Sequence, residues 1–336
     1  MPIIAILGTG LIGTSMALAL KQARIQNLEL VGMDYEHHAR HGAQKRNSFD
    51  RVESGLKTAI RGADIVILAT PVMVMQELLE TIAPNLQDGC IVTDVGSSKK
   101  VVLEWAEQYL PREVAFVGGH PMAGKETSGP EAADADLFRD KPYCIVPGNR
   151  AGKQAVSEIA TLAESMGAVP YFIGVEEHDS FVAAASHLPF LVSVALVGCT
   201  SKSVNWEDIA QLASTGYKDV TRLASGDAVM HRDICVSNPG PIVAWIDSFI
   251  RELYEVRALL GDETGPKGDD ILQVFEQASD ARALWLAGAL SPVARTRSAP
   301  PEIPSFTENL GRMFMGSRLM EMQKRLFKDS KTREEK

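Results

Sequence analysis

The feature that most constrains this 336-residue chain is six residues long. Gly8-Thr9-Gly10-Leu11-Ile12-Gly13 follows the apolar run Ile3-Ile4-Ala5-Ile6-Leu7 and leads straight into a helical stretch, residues 14–24. A GxGxxG string alone is a weak signal. Between a strand and a helix each glycine has a task. Gly8 permits a tight turn, Gly10 lets the backbone approach a pyrophosphate, and Gly13 lets helix pack closely on strand. The free amides that open the helix, around Leu11 and Ile12, suit phosphate. A second strand, residues 28–33, ends at Asp34. An acid about twenty residues past the last glycine accepts hydrogen bonds from ribose hydroxyls and repels a 2′-phosphate, which predicts NAD over NADP. Arg40, Lys45 and Arg46 stand close by and weigh the other way.

Apolar strands continue at 64–70, 91–95 and 114–117, with helical patterns at 72–82 and 98–109 between them. Such alternation implies a mainly parallel, doubly wound sheet whose ligands bind at the carboxyl edge. Thr70-Pro71, Ser97 and His120 all fall at strand ends. His120 lies in Gly118-Gly119-His120-Pro121-Met122-Ala123-Gly124-Lys125-Glu126, which reads as a loop joining two functional halves. Strands at 143–146 and 169–173 flank a helix at 153–166, and Gly174 marks a boundary. The expected organisation is a nucleotide-binding domain over 1–174, a helical domain over 175–291, and a Pro-rich linker and tail over 292–336. The tail is expected either as an amphipathic helix on a partner subunit or as a partly disordered end.

In the helical half, His178 follows Glu176 and Glu177 and reads as a solvated first-turn residue. His187 stands beside Pro189, which kinks a helix or frees a carbonyl; it reads either as a satisfied core histidine or as a ligand group. Arg222 either pairs with Asp219 at i,i+3, worth a few tenths of a kcal/mol, or holds a substrate carboxylate, worth roughly 1.5–3 kcal/mol. Long helices are expected at 242–260 and 269–288.

The net charge of −9 argues against nucleic acid as the main partner, which needs a basic face. The four cysteines show no paired metal-ligand spacing, so buried thiols in a reducing compartment and no metal are expected. Met1-Pro2 runs directly into a strand, leaving no signal peptide, and the chain is expected in the cytoplasm. One apolar run, residues 181–199, approaches membrane-spanning length, but Ser186, His187, Pro189 and Ser193 interrupt it. It is expected as a core or interface helix, with no membrane partner.

Taken together, Gly8 to Gly13, Asp94-Val95-Gly96-Ser97-Ser98-Lys99, Gly118 to Gly124, Ser186-His187-Leu188-Pro189 and Gly216 to Arg222, continuing into Met230-His231-Arg232-Asp233-Ile234, resemble the prephenate/arogenate dehydrogenase family of tyrosine biosynthesis. The resemblance spans roughly residues 1–290. It implies an α/β Rossmann domain followed by an all-α dimerisation domain, with a homodimer formed through the latter. It also implies NAD-dependent oxidative decarboxylation of a cyclohexadienol. By the same resemblance His120 accepts the hydroxyl proton and Ser97 orients that hydroxyl and the nicotinamide. Arg222 holds a carboxylate, and Glu126, Asp219 and Arg222 form an ionic cluster governing access.

Three positions depart from the family pattern. Phe190 replaces a second histidine, Lys125 replaces Thr or Ser, and His231 replaces a tryptophan. Arogenate, or both substrates, therefore stand beside prephenate as alternatives. A β-hydroxyacid dehydrogenase of similar architecture and a non-catalytic NAD-binding sensor are the competing readings.

Overall fold

The computed structural model describes residues 1–261 and 265–288; the linker and tail expected over 292–336 lie outside the described residues. The first half alternates β1 (Ile3–Leu7), α1 (Leu11–Gln22), β2 (Glu29–Met33), α2 (His37–Lys45), β3 (Arg51–Glu53), α3 (Leu56–Ala59), β4 (Ile65–Leu68), α4 (Met75–Ile82), β5 (Ile91–Asp94) and α5 (Lys100–Tyr109). It closes with β6 (Ala115–Pro121), β7 (Pro142–Pro147), α6 (Lys153–Ser165) and β8 (Val169–Phe172). The strands form one sheet in the order β3-β2-β1-β4-β5-β6-β7-β8. Every pairing is parallel except β6 with β7. The chain reverses its winding between β1 and β4, and the carboxyl ends there open a crevice for a ligand.

Strand alternation divides the core. Ala5, Leu7, Val31, Val66, Leu68 and Val92 face α4 and α5, packing on Met75, Leu78, Leu79 and Val102. Ile4, Ile6, Leu30, Ile65, Ile67 and Ile145 face the other way, onto Met16, Leu20, Ile159 and Leu162 of α1 and α6. A strand buried on both faces must be apolar throughout, which is why these strands stand out in the sequence. β3 does not stand out. Its three residues sit at the sheet edge, where Arg51 pairs with Glu29 and Glu53, and charge suits an edge.

The second half is helical among the described residues: α7 (Val175–Val182), a π-turn (Ala183–His187), α8 (Leu188–Ser201), α9 (Trp206–Leu212), α10 (Thr215–Thr221), α11 (Ala228–Ser237), α12 (Pro239–Leu260) and α13 (Gly268–Leu286). The π-turn sits where Pro189 has no amide to donate back along the helix, so the ladder widens by one residue. The continuous run Val175–Ser201 is long and apolar enough to cross a bilayer by composition. Its buried His178, Asp179 and His187 instead serve polar partners inside the protein.

By packing, residues 1–242 form one unit and 243–305, so far as described, a second. α7 to α11 thus belong with the sheet, because Ser98 donates to Ser237 (2.8 Å) and the Lys99 amide donates to Asp179 (2.8 Å). The second unit leaves Trp245, Leu253, Tyr254, Leu272, Phe275 and Trp285 exposed within the single chain. Of the cysteines, Cys90 and Cys144 are buried, whereas Cys199 is exposed and Cys235 half-buried, contrary to the expectation that all four are core thiols.

Ile6 is fully buried in the middle of the sheet. Ile6→Ala is expected to cost about 2–5 kcal/mol through lost packing and the cavity left behind, read as a lower urea midpoint at unchanged slope.

Candidate active site

The glycine turn is built as the sequence requires. Gly8 has φ +107°, and a side chain there would collide with the Ala69 carbonyl; a side chain on Gly13 would collide with the Gly8 carbonyl. At Gly10 an added carbon would meet no protein atom within 4 Å, so that position faces open space. The first intrahelical bond of α1 runs from Thr14 to the Gly10 carbonyl (3.1 Å), leaving the amides of Leu11, Ile12 and Gly13 ahead of it for an anion. Asp34 braces the turn, accepting from the Thr9 amide (2.8 Å), the Thr9 hydroxyl (3.2 Å) and the Glu36 amide (3.0 Å). Across the crevice, Thr70 precedes the exposed Pro71, and its Oγ1 is buried with no partner among the described residues. An open cradle with unspent amides, an acid and an orphan hydroxyl fits a dinucleotide. Arg40 donates to the carbonyls of Asp34 and Tyr35 (2.7 Å each) and Arg46 donates to Ala133. The two arginines flanking the acid are therefore spent largely on backbone.

His120 is not on a loop, as the glycines and prolines around it suggested. It lies within β6, opposite Cys144 of β7. Thr93 is level with Val117, so His120 stands two residues, roughly 7 Å, past the end of β5. Gly118 and Gly119 are glycines because their neighbours fill the space. A side chain at Gly118 would press on Lys99 Cδ (3.0 Å), and one at Gly119 on the Tyr143 hydroxyl and the Asp94 carbonyl (2.6 Å each).

Beneath that strand lies a buried ion pair. Asp94 and Lys99 are both fully buried and bonded to each other. Asp94 also accepts from the amides of Gly96 (2.8 Å) and Gly119 (3.2 Å), so it fixes the segment carrying half-buried Ser97 and the one carrying His120. A second buried carboxylate, Asp179, accepts from the amides of Lys99 (2.8 Å) and Lys100 (2.9 Å). Burial alone would raise its pKa, but bonds from His178 and those amides hold it below the usual value.

His178 is fully buried, which corrects its reading as a solvated residue. Its Nδ1 lies 2.8 Å from Asp179 Oδ1 and its Nε2 lies 3.0 Å from His120 Nδ1. The His120 ring is nearly buried, and its pKa is pushed well below 6.5 by that burial first, then by its neighbours His178, Lys99 and His187, beside which a second positive charge is disfavoured. Its Nε2 makes no hydrogen bond among the described residues. His187, at the end of the π-turn, is also fully buried. Its Nδ1 is 3.4 Å from Asn238 Nδ2, its Nε2 has no partner among the described residues, and burial lowers its pKa to about 4.

Arg222 bonds Glu126 rather than Asp219. Both partners are exposed, and they flank an open depression of about 550 Å³ lined by Gly124, Lys125, Glu126, Thr127, Arg222 and Leu223. An exposed pair contributes about 0–1 kcal/mol, so Arg222 can exchange its partner. Asp219 is exposed and makes no ion pair among the described residues. Lys125 is occupied by Asp134 (3.0 Å) and the Ala132 carbonyl (3.1 Å). His231 stacks on buried Phe190, ring centroids 4.2 Å apart and 7° from parallel, so two of the departures from the family pattern pack on each other. Among the described residues no cluster of three or more His, Cys, Asp or Glu is placed to hold a metal. Sequence reading quoted Asp94 to Lys99 only as a motif and placed His178 on the surface, and it missed the buried roles of Asp94, Lys99, His178, Asp179 and Asn238. Apart from the Asp94 to Lys99 motif, no local pattern marks them.

Comparison with known proteins matches residues 16–172 to the nucleotide-binding domain of prephenate dehydrogenase and residues 174–277 to its dimerization domain. The chain is 34% identical over 281 residues to prephenate dehydrogenase of Bacillus subtilis, covering 83% of this chain and 75% of that one. It is 32% identical over 281 residues to cyclohexadienyl dehydrogenase of Zymomonas mobilis, covering 83% and 94%. Among solved structures, prephenate dehydrogenase from A. aeolicus in complex with hydroxyphenyl propionate and NAD+ superposes with a TM-score of 0.78 at 27% identity, covering 84% of this chain and 98% of that one.

Lys99→Met leaves the Asp94 carboxylate buried without its cation. The expected loss is about 3–5 kcal/mol, visible as a lower Tm and weaker dinucleotide binding, whereas Lys100→Met at an exposed neighbour changes neither.

Proposed function

Since the chain belongs to the prephenate dehydrogenase family, we propose that it oxidises and decarboxylates prephenate to 4-hydroxyphenylpyruvate in tyrosine biosynthesis, with NAD as oxidant. The observation that carries this reading is His120, whose Nδ1 is committed inside the protein while Nε2 makes no hydrogen bond among the described residues. Gly8, Gly10, Leu11, Ile12 and Gly13 would hold NAD at the glycine turn, with Asp34 toward its ribose, and NAD would supply the hydride acceptor there.

The substrate's carbinol carbon gives up hydride, and the hydroxyl proton passes to His120 Nε2. Carbon dioxide then leaves from the opposite ring carbon, driven by aromatisation, its bonding pair passing to the ring oxygen, which takes the proton back as the phenol forms. A positioned base is worth roughly 10²–10⁴-fold, and burial keeps this one unprotonated at neutral pH. Ser97 orients the hydroxyl, beside Thr70 and Pro71 at the nicotinamide end. Arg222 exchanges Glu126 for a substrate carboxylate, a charge-assisted bond. Lys125, His187, Asp219 and His231 complete the substrate half, Asp219 joining the Glu126–Arg222 cluster from the same or a second subunit. The division of labour falls at Gly174, and a cytoplasmic homodimer forms through the helical domain, consistent with the dimerization family match and the exposed apolar side chains of α12 and α13.

One observation favours a second substrate. Phe190 against His231 puts an aromatic stack where the family pattern has a polar contact, which supports turnover of arogenate alone or beside prephenate. Following reduced nicotinamide with each substrate separates these cases by kcat/KM. NAD binding without turnover of either would restore the sensor reading.

His120→Asn is expected to lower kcat at least a hundredfold with little change in KM. Arg222→Gln is expected to raise KM with kcat largely kept. The pH profile carries a third expectation. A base must be unprotonated to act, and the pKa of His120 lies below 6.5. Thus kcat/KM should stay level as pH falls through 6.5 and drop only on the acid side of it; a fall centred above 6.5 would contradict the assignment.

A further inference from the structure

His120 does not stand alone. Its Nδ1 meets His178 Nε2 at 3.0 Å, His178 Nδ1 meets Asp179 Oδ1 at 2.8 Å, and all three groups are buried. Asp179 is itself fixed by the amides of Lys99 and Lys100, and Asn238 Nδ2 donates to the Asp179 carbonyl at 2.8 Å. We propose that His178 and Asp179 are positioning residues which set the tautomer of His120, so that its proton sits on Nδ1 and its lone pair on Nε2 faces the substrate. This rests on the dehydrogenase reading above and deepens it.

The argument follows donors and acceptors along the chain. Asp179 as a carboxylate only accepts, so His178 Nδ1 must carry hydrogen. With neutral His178, Nε2 is then an acceptor. His120 Nδ1 must therefore donate, which leaves Nε2 of neutral His120 bare. An imidazole without this neighbour has no such bias, and the tautomer with hydrogen on Nε2 cannot accept a hydroxyl proton. The charged groups facing the pair are few: Asp94 and Lys99 beneath β6, bonded to each other; His187 at the π-turn; and Asp179 itself.

The relay also says where charge goes. When Nε2 takes the hydroxyl proton, the Nδ1 proton can pass to His178 Nε2. One proton enters the pair, and the positive charge ends on His178 against the Asp179 carboxylate. Asp179 stays ionised, as the orienting acid does in other acid–histidine pairs. The residue that sequence reading left on the surface is thus the one that makes the base a base.

The first test needs no turnover. Long-range ¹H–¹⁵N correlation spectra of histidine-labelled protein should show neutral His120 with hydrogen on Nδ1 in the wild type. Hydrogen on Nε2 would overturn the proposal. The second is kinetic, with His178→Phe and the milder His178→Gln in case the first folds poorly. The expected result is a fall in kcat of about ten- to a hundredfold, part of what a positioned base supplies. The KM for prephenate and the NAD dissociation constant should stay within about threefold. Unchanged kcat would overturn the proposal, and so would a loss shared equally by NAD binding, which would assign His178 a structural role. Should wild-type protein turn over neither prephenate nor arogenate, the dehydrogenase reading fails, while the spectra still decide the tautomer.

Discussion

Two carboxylates without access to water organise this molecule. A buried anion must find its counter-charges and donors within the protein or it will not stay ionised. Asp94 finds Lys99 and the amides of Gly96 and Gly119. Asp179 finds His178 and the amides of Lys99 and Lys100. These bonds converge on one short segment between β5 and α5. Strand, helix and the histidine of β6 are therefore positioned by a shared set of hydrogen bonds, and moving one element strains the others. Such networks specify a single arrangement more than they add stability.

The two parts of the site differ in stiffness. The imidazole side is buried, tied at Nδ1 and held in a strand. The guanidinium side is exposed, and its present partner, Glu126, is weakly bound. Chemistry that depends on the placement of a proton acceptor needs the first property. Admission of a charged substrate needs the second, since an arginine locked into a buried pair could not exchange it.

How much was legible in the sequence follows from what produces local pattern. The glycine turn and the apolar strands were readable because their constraints are local: a positive φ at Gly8, close packing at Gly13, burial on both faces at Ile4 to Leu7. β3 was not, since a three-residue charged edge strand carries no alternation. His178 and Asp179 were misleading, because Glu-Glu-His-Asp looks like a solvated helix start and only its last two residues turn inward. His120 was singled out but given to a loop, whereas it lies within β6. The glycines beside it serve Lys99 and Tyr143, which lie far away in sequence or on another strand. Long-range demands of that kind leave no periodic trace.

The reversed strand has an architectural consequence. Had β7 run parallel to β6, the chain would have needed to cross back beneath the sheet and spend its intervening length on a covering helix. Because β7 is antiparallel, residues 122–141 leave β6 and rejoin the sheet at the same edge. The length saved becomes a rampart beside the cleft, bearing Lys125 and Glu126 and tied to α1 through the Asp134 amide and the Ser15 hydroxyl. Its exposed part, around Lys125 and Glu126, can be recharged without disturbing any rung of the sheet, while Phe138 seats its far end in the core and the His120 imidazole stays put.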